Sequence, residues 1–271
     1  MPGTEVLLHG GTTNAGRVTR VGDTVRRPWQ PVSPATHALL DHLEHVGFDG
    51  APRFLGTDDR GREVLSYIAG EAAIAPHPDW ALTDNALVSV AELLRRYHDA
   101  AASFDVTGHK WARVVPTAFR GGLASHNDPN LDNVIFSRGR AVALIDFDLA
   151  GPGSVAWDVA CAARLWAPLR DEQDAPEAVR GRALERLRTF VDAYGVPLRD
   201  RGRIVDAAID THDWAYDIVR DAMARGHRSF RHHWREGGRL RADRTREWIV
   251  AHREPMREVL DAGRNHEGVS V

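Results

Sequence analysis

Asp128, Asn133, Asp146 and Asp148 fall close together in a stretch that begins at His126. After Asn133 comes the apolar run Val134-Ile135-Phe136, then the turn Ser137-Arg138-Gly139-Arg140, then a second apolar run from Ala141 to Ile145 that delivers Asp146-Phe147-Asp148. Two apolar runs about a short glycine-containing turn predict a β-hairpin. Such a hairpin sets Asn133 before one strand and Asp146 after the other, at the same open end, with Asp128 on the loop just before. One carboxamide and one carboxylate suit Mg²⁺, which takes few hard oxygen ligands from protein and leaves the rest to phosphate oxygens. A further carboxylate, free of metal, can orient an acceptor hydroxyl and take its proton. An ordinary hairpin with polar ends explains any one of these residues, but not the set at this spacing.

Those residues need a frame. Residues 1–68 read as short strands and tight turns: Val6–Leu8, Val18–Val21, Val25–Arg27, then Arg53–Gly56 and Glu63–Ile68 around the turn Thr57–Gly61. A helix opens at Ser33 or Pro34, carries Leu39, Leu40 and Leu43 on one face, and ends before Gly47. After Gly70 helical patterns dominate. Thr83 or Asp84 caps a helix to about Ala102 with Leu87, Val90, Ala91, Leu94 and Tyr97 or His98 on one side. Further helices are predicted near 154–167, 175–194, 200–225 and 240–262. The division expected is a small strand-rich lobe, 1–68, and a larger helical one, 69–271.

Composition narrows the class. The chain has 271 residues, 43% hydrophobic and 27% charged, the balance of a soluble globular protein. A net charge of −3 argues against a dedicated nucleic-acid binder. Cys161 is the one cysteine, so no internal disulfide and no cysteine-held zinc is possible. The first residues lack the basic start and apolar run of a signal peptide, and no apolar stretch is long enough to span a membrane. A cytoplasmic protein is expected, monomeric or weakly dimeric. Lys110 is the one lysine beside 34 arginines, so chemistry that needs a cation elsewhere falls to arginine.

His126-x-Asp128-x4-Asn133, followed by Ile145-Asp146-Phe147-Asp148 and then Trp157-Asp158-Val159-Ala160, resembles the aminoglycoside phosphotransferase and choline-kinase-like family. Leu94-Arg95-Arg96-Tyr97-His98 is similar to that family's Leu-x-x-Leu-His segment. The resemblance implies an α+β fold of the two-lobe protein-kinase type. It implies a Mg²⁺-dependent kinase that moves the γ-phosphate of ATP or GTP to the hydroxyl of a small acceptor. Asp128 and His126 are then the catalytic pair, with Asp128 the base; Asn133 and Asp146 hold the metal, and Asp158 and Asp148 support the loop. Asn127 stands where the family has glycine, and asparagine is one of the side chains that tolerate unusual backbone angles.

The nucleotide half is less marked. Gly10 and Gly11 lie in a turn suited to covering phosphates, Ser66 and Ile68 lie where backbone meets adenine, and Ile145 is expected beside the nucleotide. The third strand, Thr24-Val25-Arg26-Arg27, has no lysine, and Arg26 is assigned the phosphate, with Arg27 on the opposite face. The family pairs this cation with a glutamate on the next helix. Here that stretch reads Pro34-Ala35-Thr36-His37-Ala38-Leu39, so Asp41 or Glu44 substitutes or the cation stands without an ion pair.

On the acceptor side, Asp206, Asp210, Asp213, Asp217 and Asp221 fall within about 80° of one helix face. Asp210, Asp213 and Asp217 are the candidates for a wall that would suit a cationic acceptor such as an aminoglycoside; a solvated face is the alternative. Residues 225–246 are rich in arginine (Arg225, Arg228, Arg231, Arg235, Arg239, Arg241, Arg244, Arg246) and could pair with that helix or bind an anion. His227, His232 and His233 have no facing carboxylates at fixed spacing and make no convincing metal site. A second reading of the whole chain is a non-catalytic nucleotide-binding or toxin-immunity relative of the same fold.

Overall fold

The computed structural model describes residues 4–8, 16–227, 230–231 and 234–262. Strands β1 (Glu5–Leu7), β2 (Thr19–Val21), β3 (Thr24–Arg27), β4 (Phe54–Thr57) and β5 (Glu63–Ser66) form one antiparallel sheet in the order β1-β2-β3-β5-β4. Helix α1 (Ser33–His45) leaves β3 with Pro34 in its first turn, where a missing N–H costs nothing. Leu39, Leu40 and Leu43 are its buried stripe, and the chain turns away at Gly47, whose φ of 79° favours glycine.

Helix α2 (Asp84–Ala101) is the centre of the second layer. The Thr83 hydroxyl accepts from the Ala86 N–H at 3.2 Å, and Leu87, Val90, Ala91, Leu94, Tyr97 and His98 are all buried. Against it lie two small antiparallel units. Strand β6 (Glu71–Ala72) pairs with β8 (Val134–Ser137), which pairs with β9 (Arg140–Leu144); β7 (Leu123–Ser125) pairs with β10 (Gly151–Gly153). Helices α3 (Val155–Trp166), α4 (Ala183–Tyr194), α5 (Arg201–Ala224), α6 (Arg239–Ala251) and α7 (Arg253–Asp261) complete the layer. The helix expected over 175–194 starts only at Ala183, because Pro176 and the positive φ of Gly181 break its first turns. The one expected over 240–262 divides at His252, whose ring stacks on Trp248.

One apolar cluster runs from Leu39 and Leu43 through Leu87 and Leu94 to Phe147, Trp157, Trp166 and Met256. The sheet, the hairpin and α3 are thus packed to a common core, which fixes where their polar ends meet.

Candidate active site

The hairpin forms as the two apolar runs predict. Arg138 and Gly139 both have positive φ, the mark of a tight hairpin turn. The register pairs Val134 with Leu144, and the Ile145 N–H donates to the Asn133 carbonyl at 2.9 Å, so the two open ends are tied together. Asp146 follows with φ 61°, ψ 64°, a left-handed conformation costly for a side chain larger than glycine. It turns the carboxylate out of the strand line. Asn133 donates through its Nδ2 to the Asp128 carbonyl at 2.9 Å and to the Asp128 carboxylate at 3.1 Å. Its side-chain oxygen is thereby left to accept from, or ligate, something else. An amide oxygen and a carboxylate at one end of a hairpin fit Mg²⁺ with its remaining ligands supplied by phosphate.

Asp128 is half-buried and its environment favours the proton. Burial, Asp146 and Asp132 push its carboxyl up to about 8, against weaker pulls from Arg164 and Asn133. A raised proton affinity suits a base that must take a proton from an alcohol. His126, grouped with Asp128 as catalytic on sequence, has another task. It is fully buried; its Nε2 donates to the Ile145 carbonyl at 3.0 Å, and Nδ1 accepts the Asp128 N–H at 3.3 Å. Burial lowers its pKa, which keeps it neutral in this tautomer. His126 is a positioning residue that joins the catalytic loop to the end of the hairpin.

Asp158 on α3 holds the same loop from below. Its carboxylate accepts the N–H groups of His126 at 2.7 Å and Asn127 at 2.8 Å, and takes a third bond from His98 at 2.9 Å. Burial opposes its ionisation, but His98, His126 and these bonds outweigh burial and hold the carboxyl below its ordinary value. Asn127 adopts φ 67°, and its side chain donates to the Leu149 carbonyl at 2.8 Å and accepts from the Trp157 indole at 2.9 Å. A glycine would supply the angle without either bond. Asp158→Asn, which loses one acceptor oxygen among buried donors, is expected to cost about 1–3 kcal/mol; urea unfolding measures it, and an unchanged midpoint refutes the bracing role.

The cation facing the hairpin is Arg27, not Arg26. Arg27 is buried and forks to three carboxylates: Glu63 through Nε, Asp146 at 3.2 Å and Asp148 at 2.8 Å. Burial draws its pKa down, but Asp148, Asp146 and Glu63 hold it above the ordinary value. Arg26 turns to the other face, 3.8 Å from Asp58. Strand alternation was the right rule with the wrong phase. Val25, which packs on the core, marks the inward face, and Arg27 shares it two residues on. Lys110 is exposed and takes no part.

The carboxylate missing from α1 comes from β5. Glu63 is fully buried, opposite Arg27 in the β3–β5 register, and its other oxygen meets His37 Nε2 at 2.8 Å. His37 therefore stands on α1 where a glutamate was looked for, and it stacks on Phe54 with ring centroids 3.5 Å apart. Asp41 is exposed and Glu44 pairs with Arg53 at 3.3 Å, so neither substitutes. Asp148 accepts from Gln30 at 3.0 Å as well as from Arg27; burial, Asp146 and Glu63 push it up to about 6 against the pull of Arg27.

Other expected residues fall further out. Gly10, Gly11, Arg228, His232 and His233 lie outside the described residues. Ser66 ends β5 and accepts the Arg53 N–H at 2.8 Å, while Ile68 lines a cavity with Ser89, Leu93 and Ala141. Ile145 is half-buried beside Asn133 and Asp146. The acidic stripe of α5 is largely neutralised by arginines. Asp206 meets Arg253 and Arg257, each at 2.7 Å; Asp213 is clamped by Arg246 at 2.9 and 3.1 Å; Asp217 meets Arg220 at 2.9 Å and Asp221 meets Arg113 at 2.7 Å. Asp213 and Asp217 are thus committed to neighbours rather than offered as a wall to a cationic acceptor. Asp210 is left between Asp213 and Asp206, and burial with those charges raises its pKa.

A small antiparallel sheet over a helical layer, with a hairpin that joins Asp128, Asn133 and Asp146, is the architecture of protein-kinase-like phosphotransferases. A family model described as "Phosphotransferase enzyme family" matches residues 110–204. The chain is 33% identical over 266 residues to the "Trifolitoxin immunity protein" of Rhizobium leguminosarum bv. trifolii, covering 94% of this chain and 98% of that protein. The chain belongs to this phosphotransferase family. Its fold is similar to a choline/ethanolamine kinase family protein from Mesorhizobium loti, with TM-score 0.62 and 18% identity over 96% of this chain and 93% of that one. It is also similar to an aminoglycoside phosphotransferase from Alicyclobacillus acidocaldarius, with TM-score 0.52 and 14% identity over 94% and 92%.

Proposed function

We propose that this protein is a Mg²⁺-dependent kinase that transfers the γ-phosphoryl group of ATP to the hydroxyl of a small molecule. The observation that carries the reading is the meeting of Asp128, Asn133 and Asp146 at one end of the β8–β9 hairpin. Asn133 and Asp146 would hold Mg²⁺, which supplies neutralisation of phosphate charge. Arg27 grips phosphate oxygens from the sheet. Asp128 orients the acceptor hydroxyl and takes its proton. The acceptor oxygen forms a bond to the γ-phosphorus as the bond to the bridging oxygen breaks, and ADP leaves.

Identity to an immunity protein favours a second reading, sequestration of a toxin without chemistry. The two diverge in one experiment. The protein is incubated with MgATP or MgGTP and a panel of aminoglycosides, basic peptide antibiotics, choline-like amines, sugars and hydroxy acids, and the products are read by mass spectrometry. A phosphorylated acceptor, formed by the native chain and not by Asp128→Asn, supports the kinase. Tight binding of a panel member with no nucleotide consumed supports the binder.

A further inference from the structure

Arg164, whose charge reaches Asp128, and Arg170, whose charge is felt with that of Arg164, are short of partners. Arg164 lies on α3 one to two turns past Asp158, and the end of α3 is pinned to the catalytic loop by Trp166, whose indole donates to the Pro129 carbonyl at 2.9 Å. The Nε atoms of Arg164 and Arg170 are both buried, and neither has a hydrogen-bond partner among the described residues. The carboxylates whose charge reaches them are committed elsewhere. Asp128, which acts on Arg164, is bonded to Asn133 at 3.1 Å. Asp174, which acts on Arg170, is clamped by Arg244 at 2.7 and 2.9 Å.

The cluster is electrostatically unbalanced. Burial and the charge of Arg164 push the Arg170 guanidinium down to about 10, and burial lowers Arg164 too. His212, brought in by α5, is likewise depressed by burial and by Arg164. A charged Nε that is buried without a hydrogen bond is costly, and with Asp128 and Asp174 already bonded elsewhere the group that relieves it is an anion. Guanidinium forks match carboxylate and phosphate geometry. The placement says which anion. Arg27 serves the nucleotide side through Asp146, Asp148 and Glu63, whereas Arg164 feels Asp128 and the Cys161 thiol. Asp128 thus feels Arg164 from α3, which packs against α5, where His212 feels Arg164 in turn.

We infer that Arg164 and Arg170 form an anion-binding subsite for the acceptor, which carries a carboxylate or phosphate group near the hydroxyl that Asp128 serves. The inference rests on the kinase reading for the identity of the ligand as acceptor, and not for the anion site itself. It runs against the sequence-based expectation of a cationic acceptor, since the acidic stripe apart from Asp210 is already paired and the arginine beside the base is positive.

Inorganic sulfate is the probe, titrated into the full-length protein against sodium chloride of equal ionic strength, with melting temperature as the readout. Sulfate is expected to raise it saturably, and Arg164→Gln or Arg170→Gln to weaken sulfate binding at least ~10-fold, the loss of one charged hydrogen-bonding group. Either change is also expected to raise the sulfate-free melting temperature, because it removes one of two opposed cations; a merely structural arginine would lower it and leave the sulfate increment intact. Arg164→Lys, which keeps charge without the fork, is expected to fall between. Arg27→Gln reports the nucleotide side. A sulfate response that is absent, or that survives in Arg164→Gln and Arg170→Gln while vanishing in Arg27→Gln, overturns the inference. A second arm compares ATP consumption with glycerate and serine against glyceramide and serinamide. Preference for the acids, lost in Arg164→Gln with MgATP affinity kept, supports an acceptor subsite; a shift in MgATP affinity instead assigns the site to the nucleotide and overturns it. Sulfate binding that depends on Arg164, with no phosphoryl transfer to any acceptor, sinks the kinase reading and leaves the anion site standing. Transfer to a neutral or cationic acceptor that ignores Arg164 does the reverse.

Discussion

Asp128→Asn is expected to lower phosphoryl transfer by about 10²–10⁴-fold, the usual contribution of a positioned general base, while the protein melts no lower than the native chain. Both halves follow from the surroundings of this carboxyl. It sits half-buried beside Asp146 and Asp132, and burial with those charges pushes it up to about 8. The carboxyl therefore stands against its own electrostatics, and a neutral isostere relieves that cost. The loop should not move, because Asp128 contributes its carbonyl and N–H to the local bonds with Asn133 and His126, and asparagine keeps both. Steady-state turnover with an accepted hydroxyl compound, measured beside a melting curve, decides it. A folded Asp128→Asn protein that turns over within about tenfold of the native rate removes Asp128 from the role of base.

What could be read from sequence and what could not divide along physical lines. The hairpin and the meeting of Asp128, Asn133 and Asp146 at its open end were legible because they are local. Two β-rich runs, a turn with Gly139 and a handful of polar residues at their ends specify one geometry, and the β8–β9 register delivers it. The α2 stripe was legible because Leu87, Val90, Ala91, Leu94 and Tyr97 repeat at helical spacing and a threonine precedes them. Glu63 and His37 were not legible. Each lies 26 residues from the other in the chain, and their meeting is made by α1 packing over the sheet. A glutamate opening a strand reads as solvated until the strand on its far side brings a buried arginine. Arg27 was within reach, since the alternation of apolar Val25 marks the core face. The charge on α5 was legible as a stripe, but its meaning depended on Arg246, Arg253 and Arg257, supplied by two later helices. Arg164 carries no motif at all; only the burial of its Nε beside the catalytic loop singles it out.

Arg27→Ala is expected to damage both fold and function, and Arg26→Ala to do neither strongly. Arg27 is the counter-charge of a fully buried Glu63 and also ties β3 to Asp146 and Asp148 across the cleft. Removing one member of a buried ionic network leaves an uncompensated charge, a cost of about 3–5 kcal/mol. A charge-assisted hydrogen bond to phosphate is worth about 1.5–3 kcal/mol, so the affinity for MgATP should fall roughly 10- to 100-fold in whatever fraction stays folded. Arg27→Lys separates the two effects. It keeps a positive charge for Glu63 but cannot span three carboxylates with one ammonium, so stability should recover more than nucleotide affinity. The double change Arg27→Met, Glu63→Gln removes the buried charge from both sides and should restore stability without restoring affinity. Urea unfolding and MgATP titration on this set of proteins provide the check. Equal losses in Arg26→Ala and Arg27→Ala, or full nucleotide affinity in the double variant, would take the phosphate-binding role away from Arg27.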